Sequence, residues 1–175
     1  ITEDELPFFI EVIEILKPAS INSDLNQPDT ELTADNVFGL IESHSKYREF
    51  YEKQLEAEIS FVSSHLYELL ETKENDLKKV GSLNLSLILS DDQIQLKSED
   101  QLLKFCSDAY EADRDFGFVF EFVKFENVTK DVMKHFTEIF DVCDMTEKTW
   151  AGLCNRLNEK EAGDANRYTE VKVEF

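Results

Sequence analysis

Residues 83–125 read LNLSLILSDDQIQLKSEDQLLKFCSDAYEADRDFGFVFEFVKF, and the fold class turns on them. Leu83, Leu85, Leu87, Ile88 and Leu89 form an apolar run that stops at the polar break Ser90-Asp91-Asp92. The short segment Ile94-Gln95-Leu96 follows, and Ser98 then stands three residues before Gln101. That spacing is a capping box, in which each side chain takes up a backbone N–H left orphaned at the start of a helix. Glu99 and Asp100 fall in the first turn, where the helix dipole favours negative charge. Leu102, Leu103, Cys106, Ala109 and Tyr110 recur at helical spacing and leave Lys104, Asp108 and Glu111 outside. After a charged loop, Phe116, Phe118, Phe120 and Phe122 alternate as in a strand, whereas Phe118, Phe122 and Phe125 fit one helical face with Val119 and Val123 alongside. Periodicity alone permits both. Nothing in the stretch is arranged for catalysis; its features serve helix packing.

Downstream, Asn127-Val128-Thr129 reads as a turn and cap before a helix over about 130–141, with Val132, Met133, Phe136, Ile139 and Phe140 on one side. Thr146 caps a further helix that turns Trp150, Leu153, Cys154 and Leu157 inward. EKEAGDAN, after Asn158, is a linker, and Tyr168–Phe175 alternates apolar and polar as a strand does. A single strand has no partner here, so it is expected to open a further domain.

Upstream, Leu6, Phe9, Ile10, Ile13 and Leu16 form a helical stripe over residues 5–17, widened by Phe8, Val12 and Ile15 and ended by Pro18. A polar loop over 18–32 leads to a second helix, capped by Thr33 and running to about Ser45, with Val37, Leu40 and Ile41 inward and Phe38 beside them. From Lys46 to about Glu74 the apolar positions Tyr47, Phe50, Tyr51, Leu55, Ile59, Phe61, Val62, Leu66, Leu69 and Leu70 keep helical spacing. Ser60 and Ser63-Ser64 mark a meeting of two helices there, and a domain boundary is placed near residues 60–66.

The chain has 175 residues, with 42% hydrophobic, 32% charged, 5 Gly and 3 Pro, which favours a helical protein with short connections. Its 14 Phe argue against wholesale disorder. The formal charge of −20 repels phosphate backbones and anionic lipid, so neither nucleic acid nor a membrane is an expected partner. It serves solubility, and it would also steer a basic protein surface toward the chain. No run approaches the roughly 18 apolar residues that span a bilayer, and no signal peptide is visible, so the expected compartment is cytoplasmic or nuclear. The three cysteines, Cys106, Cys143 and Cys154, are odd in number and far apart, which favours reduced thiols over a disulfide set. An opening at Ile1 and a stop at Phe175 in mid-pattern read as a piece of a longer protein.

The order of these features resembles the BACK domain that follows BTB (POZ) domains in adaptor proteins. The residues that carry the resemblance are the leucine-rich Leu83–Leu89, Ile94-Gln95-Leu96, the helix start Ser98-Glu99, and Val123-Lys124-Phe125 ahead of Asn127-Val128-Thr129. By analogy it favours a helix over residues 116–125. Upstream, Leu6–Pro18, Thr33–Ser45 and the region from Tyr47 look like the last three helices of a BTB domain. The resemblance implies an all-α chain: residues 1–64 as the helical end of a BTB-like domain, 65–158 as a BACK-like bundle of helical hairpins, and 159–175 as a linker and the start of a further domain. It further implies a non-enzymatic adaptor of a cullin-type ubiquitin ligase, joining a cullin to a substrate. The alternative is a structural scaffold that spaces two binding domains. Homodimers would form through the first half of a BTB domain, which this sequence does not contain, and the loop over 18–32 is longer than the family's usual one. In the family the segment corresponding to Phe61–Leu70 helps to form the groove that receives the cullin. Phe61, Leu66, Tyr67, Leu69 and Leu70 are therefore the candidate partner-binding residues, since one helix face has room to bury only part of this apolar surface; core packing competes for the same side chains.

Catalytic, cofactor and metal signals are weak. His44, His65 and His135 lack metal-ligand spacing and read as solvated or structural. Asp91-Asp92 with Glu99-Asp100 lack the cation-loop pattern and its glycine, and read as caps and solvated turns. Neither a G-x-S-x-G, a phosphate-cradling glycine loop nor an H-E-x-x-H motif occurs. Cys106 lies on the inner stripe, where packing is its expected role.

Overall fold

Every regular element among the described residues, 31–157 with Arg167 and Tyr168, is helical in this computed structural model. The chain divides into the units Ile1–Leu32 and Thr33–Phe175, and all the elements below belong to the second. The helix expected over 5–17, the loop after it, the linker over 159–166 and the strand pattern past Tyr168 lie outside the described residues. The helices are α1 (Val37–Ser45), α2 (Glu52–Ser64), α3 (Leu66–Thr72), α4 (Glu74–Lys79), α5 (Ser82–Ser90), α6 (Glu99–Ala112), α7 (Lys130–Ile139) and α8 (Glu147–Leu157). Three 3-10 segments, Arg114–Phe122, Phe125–Asn127 and Val142–Asp144, join α6, α7 and α8.

One apolar core runs from Val37 and Ile41 of α1 through Leu55, Val62, Leu66, Leu85 and Ile88 to Leu102, Phe120, Phe125 and Phe136. It includes Val62 and Leu66, which stand on either side of the boundary that the sequence reading places between residues 64 and 65. Each fully buried Leu, Ile or Phe contributes roughly 1.5–3 kcal/mol of transfer free energy. Exposed pairs such as Lys46–Glu42 and Lys134–Glu138 contribute about 0–1 kcal/mol each, so apolar packing holds the bundle together.

Local chemistry explains several boundaries. Ser98 caps α6 as its spacing predicts, accepting the Gln101 N–H at 3.3 Å. The return arm differs: the Gln101 side chain accepts the Lys97 N–H at 3.4 Å and donates to the Tyr67 carbonyl at 3.0 Å, tying α6 to α3. Gly81 opens α5 at φ 84° and ψ 153°, a region that a side chain disfavours. The meeting of helices expected at Ser63-Ser64 is present: α2 ends at Ser64, and α3 begins after His65. The buried Ser63 hydroxyl reaches the carbonyls of Ile59 and Ile88, 2.9 Å each, which fastens that end of α2 to α5.

Other expectations need correction. Thr33 does not cap α1; the Asn36 side chain accepts the Thr33 N–H at 2.9 Å, and the helix starts at Val37. Residues 46–51 are not helical. Successive turns bond Tyr47 to His44 and Phe50 to Tyr47, because a continuous helix would carry α2 away from α1. Tyr47 and Phe50 are consequently 62% and 56% exposed. The ambiguous phenylalanine segment is helical, but as a 3-10 turn of nine residues, Arg114–Phe122, with extended backbone at Val123. Its Phe120 meets Tyr110, Phe136 and Phe140 edge-on, with ring centroids 5.0–5.3 Å apart. Thr146 does cap α8, but Trp150 is 57% exposed and Leu157 also points to solvent. The face of α8 turned inward is Thr149, Gly152, Arg156 and Leu153, the last packed against the core as the spacing predicts. Arg156 donates to the carbonyls of Phe125 and Val128, both at 2.6 Å, which ties α8 to the end of that 3-10 segment. A Cβ at Gly152 would lie 3.0 Å from the Phe125 ring, so a side chain there would press on that ring.

Beyond the linker, Arg167 and Tyr168 return to the bundle. Leu96 forms a parallel bridge with Tyr168, and its N–H donates to the Arg167 carbonyl at 2.8 Å. These two residues therefore pack on the bundle, where the sequence reading assigns 159–175 to a linker and a further domain. The pairing edge for Tyr168 is the Ile94–Leu96 segment.

Candidate functional site

The five predicted partner-binding residues separate into two groups. Leu66, Leu69 and Leu70 are buried, because the seven-residue helix α3 is wedged among α2, α4 and α6 and sends all three into the core. They are closed to a partner. Phe61 and Tyr67 keep part of their surface. Phe61 stacks on the His65 ring at 4.3 Å, and His65 Nδ1 lies 2.8 Å from the Phe61 carbonyl, so that ring is held in place.

A concavity lies elsewhere. A cleft of about 490 Å³ opens between α2 and the end of α5. Its floor is Leu55, Ile59 and Leu87. Glu52 and Glu56, one turn apart on α2, face Asp91 and Asp92 from the turn after α5, and Arg48 stands at the edge. Four carboxylates against one guanidinium leave the cleft strongly acidic, on a chain whose formal charge is already −20. The Arg48 guanidinium donates to Asn84 Oδ1 at 2.7 Å, which anchors it beside α5. Asn84 in turn donates to Ser45 Oγ and the Val80 carbonyl, 2.8 Å each. Asp91 accepts the Gln93 N–H at 2.7 Å, so this carboxylate shapes its own turn, as the sequence reading has it, while bordering the cleft. The exposed Tyr47 and Phe50 lie close to Arg48 in the chain.

This arrangement suits an occupant that carries both basic and apolar groups. Residues 48–56 and 91–92 are far apart in sequence, and no motif links them. The only sequence signal was the i, i+4 spacing of Glu52 and Glu56, which any solvated helix face also carries.

Other reactive groups are engaged in packing. Cys106 is buried with its thiol 3.8 Å from the Val119 carbonyl, and burial pushes its ionisation far up, away from nucleophilic use. His44 Nδ1 lies 2.6 Å from Oε1 of the buried Glu58 and stacks on Tyr51. Among the described residues, no three His, Cys, Asp or Glu side chains cluster so as to hold a metal ion, and no helix is long and apolar enough to cross a membrane. No protein-family model, curated protein or solved structure matches the chain.

Proposed function

We propose that the chain is a non-enzymatic adaptor that joins other proteins, resembling the substrate adaptors of cullin-type ubiquitin ligases, and that its partner contact is the acidic cleft between α2 and α5. The observation that carries this reading is the combination of an apolar floor (Leu55, Ile59, Leu87) with four carboxylates around it. Apolar area supplies affinity, while the charge steers a basic partner and rejects acidic ones. The second reading is a scaffold without a ligase role, favoured by a core that runs unbroken from α1 to α7 and would serve as a rigid spacer.

Calorimetric titration of the chain with a cullin N-terminal domain tests both. Under the adaptor reading, binding is micromolar or tighter and weakens at least tenfold in Glu56→Lys/Asp92→Lys. Binding that ignores those reversals but falls in Tyr67→Ala moves the contact to the α3 surface. No binding by a folded chain removes the ligase role and leaves the scaffold.

A further inference from the structure

The surface between the Ile94–Leu96 segment and the start of α6 holds a buried arginine. Arg167 is 9% exposed, and an ion so placed is costly unless its surroundings are built for it. Its Nε makes no hydrogen bond but pairs electrostatically with Oε1 of Glu99 at 3.3 Å, whose side chain is wholly buried, and its Nη2 donates to the Phe122 carbonyl at 2.9 Å. The next residue is held as closely: the Tyr168 hydroxyl donates to Glu99 Oε1 at 3.1 Å and accepts from Asn127 Nδ2 at 2.9 Å. The main chain is read as well, through the parallel bridge to Leu96. The groups come from four places in the fold: Leu96 before α6, Glu99 in its first turn, Phe122 at the end of one 3-10 segment and Asn127 at the end of the next.

We infer that the bundle carries a binding site for an Arg-Tyr segment, filled in this structure by the chain's own Arg167-Tyr168. The side chains define its specificity. A guanidinium offers separate nitrogens to Glu99 and to the Phe122 carbonyl at once, whereas a lysine has a single nitrogen to share between them. A phenylalanine after the arginine would leave Asn127 and one acceptor position of Glu99 without their hydroxyl. A backbone bridge with side-chain contacts beside it is a small-scale form of the way peptides add to a fold. Because the occupant belongs to the same chain and follows α8 after a short connection, it competes at high effective concentration. A partner carrying Arg-Tyr gains the site only when the chain's own segment leaves. The site is thus a clasp that fixes the chain after the bundle to the start of α6, and that the same chemistry in trans can open.

The test uses the full chain and a labelled peptide of residues 163–172, GDANRYTEVK, followed by fluorescence anisotropy. Arg167→Ala/Tyr168→Ala should bind the peptide at least tenfold more tightly than the unaltered chain, whose site is filled. Arginine-to-lysine replacement in the peptide, or Glu99→Gln added to the variant, should each weaken binding at least tenfold. Equal binding to both chains, no binding to either, or indifference to the lysine replacement overturns the proposal. If the double variant does not fold, hydrogen exchange on Tyr168→Phe decides. The Leu96 amide should exchange at least tenfold faster there while the Phe105 amide in mid-α6 keeps its rate, and an unchanged Leu96 rate overturns the clasp.

Discussion

Glu58 and Glu99 are the same residue type at nearly the same depth, yet they are held in different ways. Glu58 faces α1 from α2 and has one partner, His44, at 2.6 Å; its Oε2 has no hydrogen-bond partner. Glu99 accepts the Lys124 N–H at 3.0 Å and the Tyr168 hydroxyl at 3.1 Å, and pairs with Arg167. Burial raises the proton affinity of both carboxyls, and the partners pull it back down. The difference lies in what remains if the carboxylate is lost. Near Glu58 the partner is an imidazole that can be neutral, and it stands on a neighbouring helix of the same local hairpin. Near Glu99 it is a guanidinium that keeps its charge, delivered by a segment 68 positions down the chain (167 − 99). One carboxylate trims a local helix pair; the other makes closure of a distant segment part of the fold.

The largest effect should come from breaking that asymmetry at its stronger end. Glu99→Ala strands the Arg167 charge in a buried site, and losing one member of such a pair costs about 3–5 kcal/mol. Urea unfolding at constant m reads this as a lower midpoint. Glu58→Gln should cost about 0.5–1.5 kcal/mol, since an amide still bonds His44 and no permanent ion is stranded. Similar losses at the two sites would show that depth, and not the kind of partner, sets the cost.

The two sites also differ in how far they can be read from sequence. Ser98, the α6 stripe and the α7 face follow from local spacing, and the structure has them where periodicity puts them. The capping position of Glu99 was legible too, but its burial was not, because Arg167, Tyr168 and Lys124 meet it only after the chain has closed. Trp150 failed for a related reason. Its periodicity fits an inward face equally well, and the side of α8 that meets the bundle instead carries Arg156, bonded to the Phe125 and Val128 carbonyls. The candidate cleft was illegible because Glu52 and Glu56 meet Asp91 and Asp92 only through the packing of α2 on α5. Leu66, Leu69 and Leu70 were apolar enough for either core or surface, and the shortness of α3 gave them to the core.

The smallest effect is a slope, and its sign is fixed by burial. Glu99 has its proton affinity raised above the ordinary value of 4.5, so between that value and its folded pKa the folded state holds more protons than the unfolded one. Stability contributed by the protonated form is fully present below 4.5 and is lost as pH rises through the folded pKa. Glu99→Gln has no proton to lose there. The groups facing position 99, Arg167, Tyr168, Lys124 and Cys106, are common to both proteins. The stability difference, unaltered chain minus Glu99→Gln, should therefore shrink as pH is raised from 4 upward, by less than about 1.4 kcal/mol per pH unit for one proton. Urea midpoints of the two proteins at pH 4, 5, 6 and 7 measure it. A difference that grows with pH would mean that Arg167 and the Lys124 N–H outweigh burial, making Glu99 a carboxylate held charged by its clasp and separating it fully from Glu58.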